Sequence, residues 1–253
     1  MIRLKEIDYS FLCFLQEALI DLEAAEALHD KEIFSKSAML FMQSIEMSCK
    51  YLGLLWKIIP PTDGKKNIGY IPNKIFKDLF SSDVLKQIKG SFLFKQFENE
   101  LNSFTSLDDK INYLVNEINT AQQLEVVIRK NRQTAVDAMI AFYRATGFKG
   151  MSNIETLENM KGDKKLEKEV EVHRKTVNNI GSCVLCQMFM SFLVWGNIED
   201  TRYPDMNAGK TTTEFYGKAS PIVKNLKWFF DIQRKCLNIM VDLHKNQLWL
   251  KSI

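Results

Sequence analysis

Between residues 33 and 58, Phe34, Ala38, Phe41, Ile45, Cys49, Leu52 and Trp56 recur at steps of three and four. That spacing puts all seven on one side of an α-helix, whose backbone turns once every ~3.6 residues, and scatters them over both faces of a strand. The same period returns along the chain. Phe11, Leu15, Ala18, Leu22 and Ala25 predict a helix over 8–29, and Ile222, Leu226, Phe229, Met240 and Leu243 predict one running to about 245. A further helix is expected over 164–196, charged at its start and apolar at its end. Shorter helices are expected over 72–80 and within 82–104. Only 5 Pro and 11 Gly punctuate 253 residues. A sandwich or barrel needs many tight turns and the residues that make them. The expected class is therefore all-α, a helical bundle in a single domain over 1–253, and a hydrophobic content of 46% is enough to fill its core.

The connectors carry their own signals. Asp30 to Glu32 reads as a turn. Pro60-Pro61 stops the second helix, because proline lacks the amide donor and restricts the residue before it. Thr62 to Asn67, 148–163 and 197–217 read as connectors. Ser106-Leu-Asp-Asp109 resembles a capping box with Asp in place of Glu or Gln. Ser220-Pro221 pairs a capping hydroxyl with a proline at the first helical position. From 107 the stripe Leu107, Ile111, Leu114, Ile118, Ala121, Ile128 predicts a helix that extends to about 145 if it survives Arg129-Lys-Asn-Arg132. Unbroken, it would reach roughly 60 Å and suit a coiled-coil hairpin or a dimer arm, so 106–146 is a candidate contact for a partner protein.

Ile180 to Gly196 holds no charged side chain. A membrane span wants about 20 predominantly apolar residues. This run is shorter and contains Gln187, Ser182 and Ser191, so it reads as a buried core helix, and no membrane association is expected. The five cysteines, Cys13, Cys49, Cys183, Cys186 and Cys236, are odd in number and scattered. They suggest no disulfide framework, and with no secretory signal at the start the expected compartment is the cytoplasm.

With 34 basic and 31 acidic residues, the net charge of +3 requires no polyanionic partner. Arg129, Lys130, Arg132, Arg144 and Lys149 read as a solvated helix face. Gly147-Phe-Lys-Gly150 lacks the Gly-Lys-Ser/Thr ending of a phosphate loop, and no dinucleotide motif, nucleophile elbow or His-Glu-x-x-His is present. Cys183-Val-Leu-Cys186 has metal-pair spacing but no second pair, so it reads as two small core residues. No cofactor and no metal are expected.

Two segments carry a resemblance. Ala38-Met-Leu-Phe-Met-Gln-Ser-Ile-Glu46-Met-Ser-Cys-Lys50-Tyr-Leu-Gly is followed, far downstream, by Thr201-Arg-Tyr-Pro-Asp205 and a final amphipathic helix. This arrangement resembles the HEPN family, helical bundles common in prokaryotic toxin, abortive-infection and nucleotidyltransferase-associated systems. The resemblance implies a core over 8–60 and 164–246 with a helical insertion at 62–163. It implies a homodimer in a stress or phage-defence setting. Many members of the family are ribonucleases whose site is an Arg, a gap of four to six residues, and a His. Here Arg174 matches the Arg, and Asn179 stands where the His is expected. An amide does not titrate, whereas cleavage by 2′-hydroxyl attack needs a group that takes and returns a proton near neutral pH. The resemblance therefore implies a non-catalytic module binding RNA, a nucleotide or a protein. The alternative is a metal-independent endoribonuclease using Arg174 with Asn178, Asn179 or His173. A third reading is a structural interaction protein. Glu46 and Lys50 form either a surface ion pair or, with Arg174 or Arg202, a polar cluster in the bundle that binds an anion.

Overall fold

The computed structural model describes residues 11–55, 75–77, 90–123, 137, 158–159, 161–194 and 216–245. These residues form an all-α bundle: α1 (Leu12–Asp30), α2 (Phe34–Leu55), α3 (Gly90–Ser103), α4 (Leu107–Gln122), α5 (Lys164–Val194) and α6 (Pro221–Lys245). The described part contains no strand. The Arg-Tyr-Pro turn with Arg202, the Pro60-Pro61 stop, the basic residues at 129–132, 144 and 149, and the side chains of His173 and Arg174 lie outside the described residues.

α1 and α2 form an antiparallel hairpin. Its turn is built on Glu32, which adopts φ 59°. The Glu32 amide donates to the carbonyl of His29 and the Ile33 amide to that of Leu28, both at 2.9 Å. This 5→2 and 6→1 pair satisfies the end of α1 with a left-handed residue where glycine is usual. Two hydroxyls then lock the helices: Ser37 Oγ donates to the carbonyl of Ala25 at 2.7 Å and Ser44 Oγ to that of Ala18 at 2.6 Å. Ser37 and Ser44 are seven residues apart, two helical turns, so small side chains repeat along one seam and let the backbones approach.

α2 is the central helix, packed against α1, α5 and α6. From Ser44 to Leu54 every residue except Met47 is buried. The core above it is aromatic: the Phe41 ring lies 5.9 Å from Phe229 and 5.4 Å from Phe230, centroid to centroid. A second cluster places Phe97 of α3 against Phe189 and Phe192 of α5. Burying a side chain of this size contributes about 1.5–3 kcal/mol. The charge-free run is a core helix as expected, with Cys183 and Gln187 through Leu193 buried. Among the described residues no helix is long and apolar enough to cross a membrane.

Two expectations are corrected. The helix that begins at Leu107 ends at Gln122, not near 145. The Gln123 amide turns back to the carbonyls of Asn119 and Thr120 at 3.2 and 3.1 Å, the tightened bonding of a last turn. α4 is therefore about 24 Å long, and it lies on α5 and α6 with Ile111, Leu114, Ile118 and Ala121 buried. Its start matches the sequence: Ser106 Oγ accepts from the Asp109 amide at 3.0 Å. The Asp109 carboxylate accepts in turn from the same hydroxyl at 2.6 Å, a contact made side chain to side chain. The second correction is Ser220, whose hydroxyl is buried with no hydrogen-bond partner and caps nothing. Its backbone carbonyl instead takes the Lys224 amide at 3.0 Å, and Pro221 supplies the helix start.

Candidate functional site

Three helices meet at a closed ring of polar side chains in the core. Ser48 Oγ of α2 donates to Gln187 Oε1 of α5 at 2.8 Å. Gln187 Nε2 donates to Gln233 Oε1 of α6 at 2.6 Å. Gln233 Nε2 returns to Ser48 Oγ at 3.2 Å and also reaches Ser44 Oγ at 3.2 Å. Ser44 passes the chain on to α1 through the Ala18 carbonyl. All four side chains are fully buried. Each bond polarises the next, and the satisfied network ties four helices to one register. Sequence reasoning noticed Gln187 only as an irregularity in the apolar run. The available signal was Gln233 inside the apolar stripe of α6, with Ser44 and Ser48 four apart on α2.

The ring is sealed from solvent, so it positions rather than binds. A different cluster lies on the other side of α2. Glu46 and Lys50 each stand about 160° round the helix from Ser48. Lys50 Nζ meets Glu46 Oε1 at 2.6 Å, and each residue is only 8% exposed. The pair is thus buried, not a surface pair. Asp21 of α1 shares this flank, is also 8% exposed, and has one carboxylate oxygen buried with no hydrogen-bond partner. Burial, then the Glu17 and Glu46 carboxylates, push its pKa up to about 6.

That shift has a sign. The folded-state pKa of Asp21 lies above the ordinary carboxylate value, so the folded chain holds the proton more tightly than the unfolded one. The contribution is fully present below about pH 4 and is lost as pH rises through about 6. Asp21→Asn should therefore stabilise the protein at pH 7 by about 1–2 kcal/mol and change little at pH 4. Urea unfolding at the two pH values measures this, and an equal gain at both would remove titration from the account.

On α5, the neighbouring candidates part company. Asn178 is buried, with its amide nitrogen unpartnered, while Asn179 is exposed. Asn178 lies nine residues before Gln187, half a turn round the helix, on the face of Leu185 and Phe189 rather than that of the polar ring. The backbone at His173 and Arg174 is helical. Cys183 Sγ meets the Cys236 carbonyl and Gln187 meets Gln233, so α5 and α6 run antiparallel. That register brings the end of α6 level with the polar start of α5. At this end, Tyr51 Oη and His244 Nδ1 are 3.1 Å apart, both buried, and burial lowers the His244 pKa. The described residues bring Glu46 and Lys50 together with Asp21. Arg174 and Arg202 have no described side chain to add to them.

Cys183, Cys186 and Cys236 are buried side by side between α5 and α6. The hydrogen bond to Cys236, and then burial, push the Cys186 thiol far up. All three are buried free thiols, which pack as small apolar side chains. Among the described residues no three His, Cys, Asp or Glu side chains are arranged to hold a metal ion.

No protein-family model, curated protein or solved structure matches this chain.

Proposed function

We propose that this chain is a HEPN-like helical module that binds its target without cleaving it, working as a homodimer in a stress or phage-defence system. The target is RNA, a nucleotide or a protein. The setting and the dimer come from the resemblance carried by the Glu46/Lys50 helix and Thr201-Arg-Tyr-Pro-Asp205, a fold-level analogy.

The observation that carries the non-catalytic reading is the placement of the titratable candidates. Asn179, at the position of the expected His, is exposed and cannot move a proton. Of the described histidines, His29 packs edge-on against Phe34 and Phe230, and His244 is held in the core by Tyr51. Arg174 keeps the capacity to hold a phosphate through its guanidinium fork.

The test is incubation of the purified protein with single-stranded RNA, without metal, beside Arg174→Ala. The expected result is intact RNA, with retarded mobility for the wild type and less retardation for the variant if the target is RNA. Cleavage that disappears in Arg174→Ala would establish the endoribonuclease reading instead, with His173, Asn178 and Asn179 as the next positions to change.

A further inference from the structure

α5 and α6 meet along a seam that carries three thiols. Cys183 Sγ donates to the carbonyl of Cys236 at 3.6 Å, and Cys236 Sγ reaches back to the carbonyl of Cys183 at 4.0 Å. Each side chain is thus laid against the other residue's backbone, so the two face each other across the seam. The Cys236 thiol is also hydrogen-bonded to the thiols of Cys183 and Cys186, which lie about one turn apart on α5. Burial alone does not require such convergence. Cys49 is as deeply buried, and its sulfur contacts the Gln187 amide oxygen. A disulfide needs side chains whose Cβ–Sγ directions converge. Cys183 and Cys236 already converge, which leaves only the closure of two sulfurs in contact.

The seam lies close below the surface. Cys183 is 1% exposed and Cys236 3%. Ser182 and Val184, on either side of Cys183, are half-buried, and Lys235 beside Cys236 is exposed and near enough to act on Cys186. No ligand has to be housed there. The arriving reactant is a peroxide, little larger than water, and what remains is a bond inside the protein. Local opening of the kind that exposes buried groups in native proteins admits it. The hydrogen bond with Cys183, together with burial, holds the Cys236 thiol well above its ordinary pKa. Little thiolate is therefore present at neutral pH, and the closed seam reacts slowly.

We propose that Cys183 and Cys236 form a peroxide-driven disulfide that clamps α5 to α6, a reversible redox switch that leaves Cys186 as a thiol. One thiol sulfur attacks the peroxide, the O–O bond breaks, and a water leaves as the sulfenic acid forms. The second sulfur attacks the first, the S–O bond breaks, and another water leaves with the second thiol's proton. Two thiols lose two electrons, and one peroxide is reduced to two waters. A dithiol reductant reverses the change. Where thiols are kept reduced, the bond exists only during oxidative exposure, as in sensing disulfides. The switch is independent of the HEPN-like reading and of RNA binding.

The experiment treats the reduced full chain with hydrogen peroxide, alkylates the remaining thiols in denaturant and digests with trypsin. The peptide between Lys175 and Arg202 should be joined to the one between Lys235 and Lys245, and dithiothreitol should separate them. The oxidised chain should melt several degrees higher, because a cross-link between residues 53 apart restricts the unfolded chain. Cys183 and Cys186 share one of these peptides, so Cys183→Ala and Cys186→Ala are treated alongside. The first should lose the cross-link and the second should keep it. Cys183→Val replaces Cys183→Ala if the latter does not fold. Cys49, whose sulfur contacts an amide, should be recovered alkylated throughout. No cross-link in the wild type, a cross-link that survives the change at Cys183, or a cross-link without a rise in melting temperature overturns the switch.

Discussion

Lys50→Met should destabilise the folded chain at pH 7 by about 3–5 kcal/mol, the usual loss when one member of a buried ion pair is removed. The substitution keeps much of the apolar stem of Lys50 and deletes its ammonium. Glu46 is then left 8% exposed without that cation, facing Asp21 and Glu17. The loss should shrink as pH falls through about 6, because protonating Asp21 removes a carboxylate charge that acts on Glu46. Glu46→Gln combined with Lys50→Met should recover most of the stability, since a neutral pair carries no charge-burial penalty. Urea midpoints at constant m-value measure all of this. A surface pair would give at most about 1 kcal/mol and no pH dependence, so a small, flat effect would contradict the burial of this pair.

Gln233→Leu should destabilise by about 2–4 kcal/mol, despite being a polar-to-apolar change in a core. The side chain is fully buried and takes part in three hydrogen bonds, to Gln187, Ser44 and Ser48. Removing it leaves the Gln187 amide without its acceptor, and a buried group left so costs about 1–3 kcal/mol. Gln187→Leu should cost a similar amount for the mirror-image reason. The double change Gln187→Leu/Gln233→Leu should cost clearly less than the two together, because both ends of the broken bond vanish at once. Strict additivity in this cycle would show that the ring is not acting as a unit. The expected coupling is what a homodromic ring requires: each donor polarises the next bond, so opening the ring anywhere weakens all of it.

How much of this was legible beforehand depends on the range of the interaction concerned. The α2 stripe, the Ser106 start of α4 and the Pro221 start of α6 are local features, and each appears where its residues predicted. The turn at 30–32 was also legible. That a glutamate would hold the left-handed position was not, because its φ of 59° is imposed by closure of the hairpin. The long helix over 107–145 failed for a complementary reason. Periodicity reports which face is apolar but says little about where the backbone ladder stops, and the Gln123 amide turns back to Asn119 and Thr120 within one turn. The Ser220 hydroxyl fitted the composition of a cap, yet its orientation left it without a bond.

The candidate site divides in the same way. Glu46 and Lys50 could be paired from their spacing, since four residues on a helix make neighbours. Whether the pair lay in water or in the protein could not be read from that spacing, and burial reverses its energetic meaning. Asp21 attracted no notice because nothing local distinguishes it from the other acids of α1. It becomes distinctive only where α2 brings Glu46 against it and removes its water. Asn178 and Asn179 are adjacent and chemically identical, and about 100° of helical rotation puts one in the core and the other in solvent.

By itself, then, the sequence determined that this chain is helical, which faces of its helices are apolar and where several of them begin. Those properties follow from backbone hydrogen bonding and side-chain period within a few residues. The tertiary structure alone decided that Ser48, Gln187 and Gln233, which lie 46 to 185 residues apart in pairs, close a ring. It also decided that an ordinary-looking i,i+4 pair is buried beside an aspartate with one carboxylate oxygen left without a hydrogen bond. Both depend on which helices become neighbours and how much water they exclude, and neither quantity is written in any local stretch of the chain.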